Sequence, residues 1–333
     1  MMELTPPEIS KKYGTLFSKS LVTLVDERNK IVEIVEKCRA RGFAEWDLAN
    51  RLRASNLAYE GWVTGKTLIL RARVGKSDVK LGPASSISGS QALEEVKIRD
   101  NYVYTTWCGI SDIGIDVTAC LPQARGVIKA IYPAADECNR TNSRTVKKVT
   151  IVTPKYSKLI VGIDDTDAKN KGATWLHALR AALNLTKEMK KLIILSHRIF
   201  QSYPRVPWKT AHNVSTVLVL GVPPTVSVSD VINRLVDEFK KNVFSNEACA
   251  VFYNGILIPN AIRSFGEKVK SEVVDELEAI KLARDLGFLV AEITGRKGVI
   301  GALAGIAYYD AGIECVSFPN DPALSKIRKD MIP

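Results

Sequence analysis

KLIVGIDDTDAKNKGATW (158–175) decides how the second half of this chain folds. KLIVGID (158–164), apolar from Leu159 to Ile163, reads as a strand. Asp164, Asp165 and Asp167 follow it at once, and Gly172-Ala173-Thr174 then open a helix expected to reach about Ala182. A strand that feeds a helix through a short polar turn is the unit of an α/β domain, and open α/β sheets hold ligands beyond the carboxyl ends of their strands. Three carboxylates within four residues repel one another, and a divalent cation relieves that repulsion. Mg²⁺ takes hard oxygen ligands, usually one or two carboxylates with substrate phosphates and water. Small residues at 172–173 let a phosphate approach backbone N–H groups at the helix start, and the Thr174 hydroxyl is a further donor or a phosphoryl acceptor. The same aspartates also suit plain turn and capping roles.

Working outward, the rest of the second half alternates. Strands are expected at LIILS (192–196), STVLVLG (215–221), ACAVFY (248–253) and LVAEI (289–293). Ser227 or Ser229 caps a helix whose apolar face is Val231, Ile232, Leu235, Val236 and Phe239. A long helix is expected through Val273, Val274, Leu277 and Ala283, stopped by Gly287, and an apolar helix over Val299 to Ala307. No internal repeat is visible.

The first half reads as a small α+β sheet domain. Helices are expected over Asn29 to Arg41, through Ile31, Val32, Ile34 and Val35, and over Ala44 to Ala54, with Trp46, Ala49 and Leu52 on nearly one face. Strands are expected at TLILRARV (67–74), VKI (96–98), NYVYTTW (101–107) and GVIKAIY (126–132). Pro133 to Lys148 is polar and aperiodic and marks the boundary, so the expected domains are 1–148 and 149–333; VTIVTP (149–154) reads equally as a strand or as the linker. Gly65-Lys66-Thr67 and Gly75-Lys76-Ser77 imitate the end of a P-loop. Glu60 and Leu70 stand where a P-loop needs its first glycine, so both are expected to be hairpin turns.

Length and composition allow two ordinary globular domains: 333 residues, with 46% hydrophobic and 25% charged, exclude disordered and collagen-like classes. No stretch approaches the ~20 apolar residues of a membrane helix, and MMELTPPEISKK carries no apolar signal region, so a cytoplasmic protein with no membrane partner is expected. The six cysteines include no C-x-x-C pair and are expected to be reduced thiols rather than a zinc site. A net charge of +11 suits encounters with polyanions, yet no RNP motif or aromatic–basic stripe appears, so a nucleic-acid partner is possible without being favoured.

VGIDDTDAKNKGATW (161–175), YPRVPWKT (203–210) followed by Asn213, and ITGRKGVIGALAGIA (293–307) resemble, in order, three signatures of the archaeal tRNA-isoleucine agmatinylcytidine synthetase. In that family the matching module is a kinase-like domain that binds ATP with Mg²⁺, phosphorylates its own threonine and activates a cytidine for attack by agmatine. The resemblance implies an ATP- and Mg-binding kinase-like domain of the α/β class here, so the chain as a whole is α+β. It makes Asp164, Asp165 and Asp167 metal residues, with Thr166, Gly172 and Ala173 beside the nucleotide. Thr174 falls on the phosphorylated threonine. Lys209 becomes a neutraliser of phosphate charge with Asn213 beside it, against the alternative of a solvated loop lysine. Gly298 and Gly301 read equally as nucleotide-binding or as tight helix packing, and Arg296 and Lys297 as phosphate contacts or a solvated turn.

The synthetase pattern continues after Lys209-Thr210 with arginine and glycine, whereas this chain has Ala211 and His212, which removes a planar, always-charged fork. The synthetase's C-terminal OB-fold and zinc ribbon have no counterpart before Pro333, which puts a tRNA cytidine substrate in doubt. Over its whole length the chain resembles the methanogenesis marker protein 11 family, which shares the IVTP approach (151–154), the GIDDTD-to-GATW block and VGKSD (74–78). That resemblance implies a role connected with methanogenesis in archaea. The expected function is a Mg-dependent phosphotransferase or ATP-activating enzyme, catalysed through Asp165, Thr174 and Lys209. Its N-terminal domain would select a protein or small-molecule substrate. The alternatives are a tRNA-modifying enzyme working with separate RNA-binding chains and a non-catalytic nucleotide-binding assembly factor.

Overall fold

The computed structural model describes residues 1–82, 90–111, 115–135, 138, 145–209, 213–311 and 315–316. It shows a mixed α/β protein whose chain divides into two compact units, 1–156 and 157–333.

The first unit runs β1 (Met2–Leu4), α1 (Pro6–Tyr13), β2 (Ser18–Asp26), β3 (Ile31–Cys38), α2 (Arg41–Ala54), β4 (Ala58–Thr64), β5 (Thr67–Arg73), β6 (Gly75–Lys76), β7 (Ser90–Arg99), β8 (Tyr102–Ile110), α3 (Val117–Cys120), β9 (Lys129–Tyr132) and the first part of β10 (Lys147–Asp164). Its antiparallel ladders follow the orders β4-β5-β3-β2 and β1-β9-β10-β8-β7-β6. VTIVTP is therefore strand.

The helix expected over Asn29 to Arg41 is the strand β3. Ile31, Val32, Ile34 and Val35 satisfy a helical spacing, but all are β-branched and pack better on a pleated surface. A hairpin fixes the choice: the Asp26 carboxylate accepts from the Asn29 backbone N–H at 3.0 Å, and Lys30 takes a left-handed φ of 54°. The helix expected from Ala44 is α2, but Trp46 is 50% exposed, and the buried face carries Ala44, Arg51 and Ala54. Gly65-Lys66 is the β4–β5 turn as expected, whereas Gly75-Lys76 is extended and pairs with β7.

The unit has a polar centre. Arg51 pairs with Glu36 at 2.6 Å and with Asp47 at 3.4 Å, and its guanidinium lies 4.8 Å over the Trp107 ring. Gln91 accepts from Arg51 at 2.9 Å and donates to Asp47 at 2.6 Å. Glu36, Cys38 and Asp47 bring ligand atoms within 4.8 Å of one another, as a metal site would, but the Arg51 guanidinium already serves their negative charge.

In the second unit the last part of β10 is followed by α4 (Thr174–Glu188), β11 (Ile193–Gln201), β12 (Val214–Val222), α5 (Val228–Lys240), β13 (Cys249–Asn254), α6 (Asn260–Ser271), α7 (Glu276–Asp285), β14 (Leu289–Glu292), α8 (Val299–Tyr308) and β15 (Cys315–Val316). The sheet order is β15-β11-β12-β10-β13-β14, antiparallel at every ladder among the described residues. The sheet is thus not the open parallel type that alternating strands and helices suggest, and its strands share no carboxyl edge. Leu159, Val161 and Ile163 face one layer with α4 and α5. Ile160 faces the other, with α6, α7 and α8. A strand covered on both faces has to read as a continuous apolar run. Gly162 permits the second layer: a Cβ there would lie 2.0 Å from the Ala302 carbonyl oxygen of α8.

The single long helix expected through Val273 and Leu277 is two helices. Asp275 caps α7 by accepting from Leu277 N at 2.8 Å, which ends the run between them. Val273 and Leu277 are consequently exposed, while Val274 and Ala283 are buried. Gly287 takes a left-handed φ of 77° just past α7, as expected of its stop. Ser227 caps α5 by accepting from Ser229 N at 3.2 Å. No helix among the described residues is long and apolar enough to cross a membrane.

Candidate functional site

β10 ends at Asp164, and the chain leaves the sheet through Asp165 in a left-handed conformation, φ 58°, which aspartate tolerates better than most residues. The Asp165 backbone N–H donates to Asp164 Oδ1 at 2.9 Å. The start of α8 comes down on this corner. A Cβ at Gly301 would lie 1.7 Å from Asp164 Oδ2, so the glycine makes the room that the carboxylate fills. Gly298 donates to the Glu247 carbonyl at 2.9 Å, and a Cβ on it would lie 2.7 Å from the Asp164 carbonyl. Close packing accounts for both glycines, and at Gly301 that packing also shapes the site.

Asp167 points elsewhere. Thr174, buried at the first turn of α4, donates its hydroxyl to Asp167 Oδ1 at 2.6 Å and accepts from the Thr166 N–H and hydroxyl, each at 3.2 Å. Gly172, with φ 86°, keeps the loop clear of the Phe244 ring, which a Cβ would meet at 2.8 Å. Ala173 caps α4 without a side-chain bond.

Most of the expected residues divide between two clefts, and Asp167, Thr174 and Gly298 line neither. Asp164, Asp165, Lys209, Asn213 and Gly301 line one, together with Ser202, Trp208 and Lys297. Thr166, Gly172 and Ala173 line the other, with His177, Arg180 and Lys241. In the first cleft Lys209 donates its ammonium to the Pro204 carbonyl of its own loop. Asn213, at a left-handed φ of 53°, donates to the Tyr203 carbonyl at 2.7 Å and so ties that loop shut. The departures at Ala211 and His212 lie outside the described residues, as does Thr210.

Electrostatically the first cleft is unbalanced. Burial lifts the Asp164 carboxyl well above the usual range, with Asp165 and Asp167 adding to the rise and the Asp165 N–H opposing it. Asp165 is pushed up to about 6, by burial first, then by Asp167 and Glu247, against the pull of Lys297. The Ser202 Oγ, 5% exposed on the cleft wall, has no hydrogen-bond partner among the described residues, nor has the buried Ser215 Oγ beside Gly301. Carboxylate and hydroxyl oxygens are the hard donor type that Mg²⁺ takes. The sequence motifs gave no sign of Ser202, Ser215 or Glu247, which reach the site from three separate strands and loops. Trp208 sits inside a recognised motif, yet only its place on the cleft wall points to a role.

The model of the TiaS TCKD domain matches residues 160–295, from β10 past β14, so this stretch of the second unit is similar to that domain. Over a longer span the chain is 31% identical across 290 residues to the uncharacterized protein MJ0921 of Methanocaldococcus jannaschii, covering 86% of this chain and 92% of that protein. The chain belongs to the family of that protein. It is also 27% identical over 180 residues to TiaS, the isoleucine-tRNA 2-agmatinylcytidine synthetase, of Caldivirga maquilingensis, covering 52% of this chain and 42% of the synthetase. The synthetase of Pyrococcus horikoshii is 27% identical over 157 residues, and this chain spans 35% of its length. Among solved structures, the complex of TiaS with its isoleucine tRNA and ATP is similar at 22% identity and a TM-score of 0.40, covering 45% of this chain and 36% of that one.

Proposed function

We propose that this chain is an ATP-dependent enzyme, of the phosphotransferase or ATP-activating type, that takes a nucleoside triphosphate with Mg²⁺ in the cleft beside Asp164 and Asp165. One observation carries the reading: two part-buried carboxylates with raised protonation, beside hydroxyl oxygens without partners among the described residues, share a cleft with Lys209 and Asn213. A site kept in that state is poised for a ligand that brings positive charge to the carboxylates and negative charge to the lysines. Asp164, Asp165 and the Ser202 hydroxyl would hold Mg²⁺, which supplies charge neutralisation for the phosphates. Lys209 would leave the Pro204 carbonyl and place its ammonium on a phosphate oxygen, and Asn213 would hold its loop in place.

As acceptor and base the reading takes Thr174 and Asp167, which lie outside the lining of that cleft, so transfer to Thr174 would require their loop to turn towards it. The hydroxyl already donates to the carboxylate at 2.6 Å, so a proton lost on phosphorylation would pass to Asp167. The buried, fully engaged state of that hydroxyl also favours a second reading: a nucleotide-binding module in which Thr174 only braces the loop. The link to methanogenesis, and the selection of a protein or cofactor substrate by the first unit, rest on the sequence resemblance to the marker family. Modification of a tRNA rests on the similarity to the synthetases, of which this chain spans less than half. Incubation with Mg-ATP followed by mass spectrometry and nucleotide chromatography tests the reading. Phosphate on Thr174, or conversion to ADP or AMP, that disappears in Asp165→Asn supports an enzyme. Nucleotide bound and recovered unchanged supports the binding module.

A further inference from the structure

We infer that Trp208 is the stacking platform for the base of the bound nucleotide, so that this one side chain gives the cleft its preference for a nucleotide over bare polyphosphate. The inference rests on the triphosphate reading of the same cleft and adds the part of the ligand that reading leaves open.

Trp208 is 49% exposed although it lines the same cleft wall as Asp164 and Asp165. A large aromatic side chain left half in water beside a concave site keeps apolar area in reserve, and a planar ligand can bury it. Val273, 48% exposed, and the buried Val274, from the break between α6 and α7, line the same cleft. The ring and the valines add apolar area to a lining that also carries Asp164, Asp165 and Lys209. Such a mixed lining suits a nucleotide, whose base is planar and whose far end is anionic. Stacking is tolerant of base identity because every base presents a π-face.

The Lys297 ammonium lies 3.8 Å from the centroid of the Trp208 ring, and it lines the same cleft as Asp165. It therefore stands on the π-face as a cation does. A metal-bound triphosphate would offer Lys297 a phosphate oxygen, and the ring face would pass to the base. Base selectivity is then weak, with purines above pyrimidines because their larger rings cover more of the indole.

Titration calorimetry of the full chain with Mg-ATP and, separately, Mg-tripolyphosphate tests this. In Trp208→Ala the affinity for ATP is expected to fall between about 5-fold and about 100-fold, as stacking on one aromatic side chain dictates. Tripolyphosphate affinity should stay within about twofold, which also certifies the fold of the variant. Trp208→Phe should keep most of the ATP affinity. Asp165→Asn should weaken both ligands. An ATP affinity unchanged in Trp208→Ala, or a loss shared equally by both ligands, overturns the inference and leaves the triphosphate reading standing. Wild-type protein that takes up neither ligand overturns both.

Discussion

Two acidic clusters in this molecule have opposite fates. In the first unit, the buried Glu36 and the part-buried Asp47 flank Arg51, which bonds one at 2.6 Å and the other at 3.4 Å, and Gln91 closes the ring. In the second unit, Asp164 and Asp165 line a cleft with Lys209 and Lys297, of which Lys297 opposes Asp165 from a position over Trp208. The first cluster carries its own counter-charge and acts as structure. On the proposed reading the second leaves its charge to be met from outside, which is how a binding site differs from a buried ion pair. Closeness alone misleads, since among the described residues it is Glu36, Cys38 and Asp47 that cluster tightly enough to imitate metal ligands.

The contrast can be broken most sharply at Arg51. Arg51→Met strands the buried Glu36 carboxylate and the part-buried Asp47 and is expected to destabilise the protein by about 3–5 kcal/mol, measured as a lower urea midpoint. A loss below about 1 kcal/mol would mean that the pair is not structural.

At the other cluster the sign reverses. Asp165→Asn is expected to weaken Mg-ATP binding by roughly 100-fold or more, yet to stabilise the ligand-free protein at neutral pH. The folded Asp165 carboxyl titrates at about 6, against 3.8 for the ordinary group, with burial as the chief cause. Between those values the folded state holds the proton more tightly than the unfolded chain. Stability from this group is therefore greatest below about pH 4, falls as pH rises towards 6, and is flat above. Asp47, also pushed up to about 6 by burial, contributes a slope of the same direction, so the informative quantity is the difference between wild type and variant in thermal melts across that range. A variant less stable than wild type at pH 7 without ligand would contradict the account.

Smaller effects separate packing from chemistry. Gly301→Ala drives a methyl group into the Asp164 carboxylate and should cost about 1–3 kcal/mol of stability while weakening Mg-ATP, seen by melting with and without ligand. Thr174→Val removes the donor to Asp167 and should cost about 1 kcal/mol, with Thr174→Ser restoring it. If Thr174→Val abolishes nucleotide turnover but leaves binding intact, the threonine is an acceptor rather than a brace.

Much of the second unit was legible because β10 is covered on both faces and its apolar run is unmistakable, and because the loop after it is acidic in a short span. Reading failed where one spacing served two structures. Ile31, Val32, Ile34 and Val35 fit a helix by period, but β-branching and the Asp26–Asn29 turn settle a strand. Val273 and Leu277 fit a helix that the Asp275 cap interrupts. The division of the acidic loop was not readable at all. Which way Asp167 turns depends on Thr174, at the start of the next element, and on hydrogen bonds that leave no periodic trace. Trp208 could be read as part of a motif, whereas its exposure on the cleft wall follows only from the folded loop.

The most direct measurement is the heat of ATP uptake by the purified full chain with Mg²⁺ and again with the metal chelated, in wild type and in Asp165→Asn. The account predicts saturable binding in wild type that vanishes on chelation and is strongly weakened by the substitution. ATP uptake that ignores the metal, or that persists undiminished once the Asp165 carboxylate is neutralised, would contradict it.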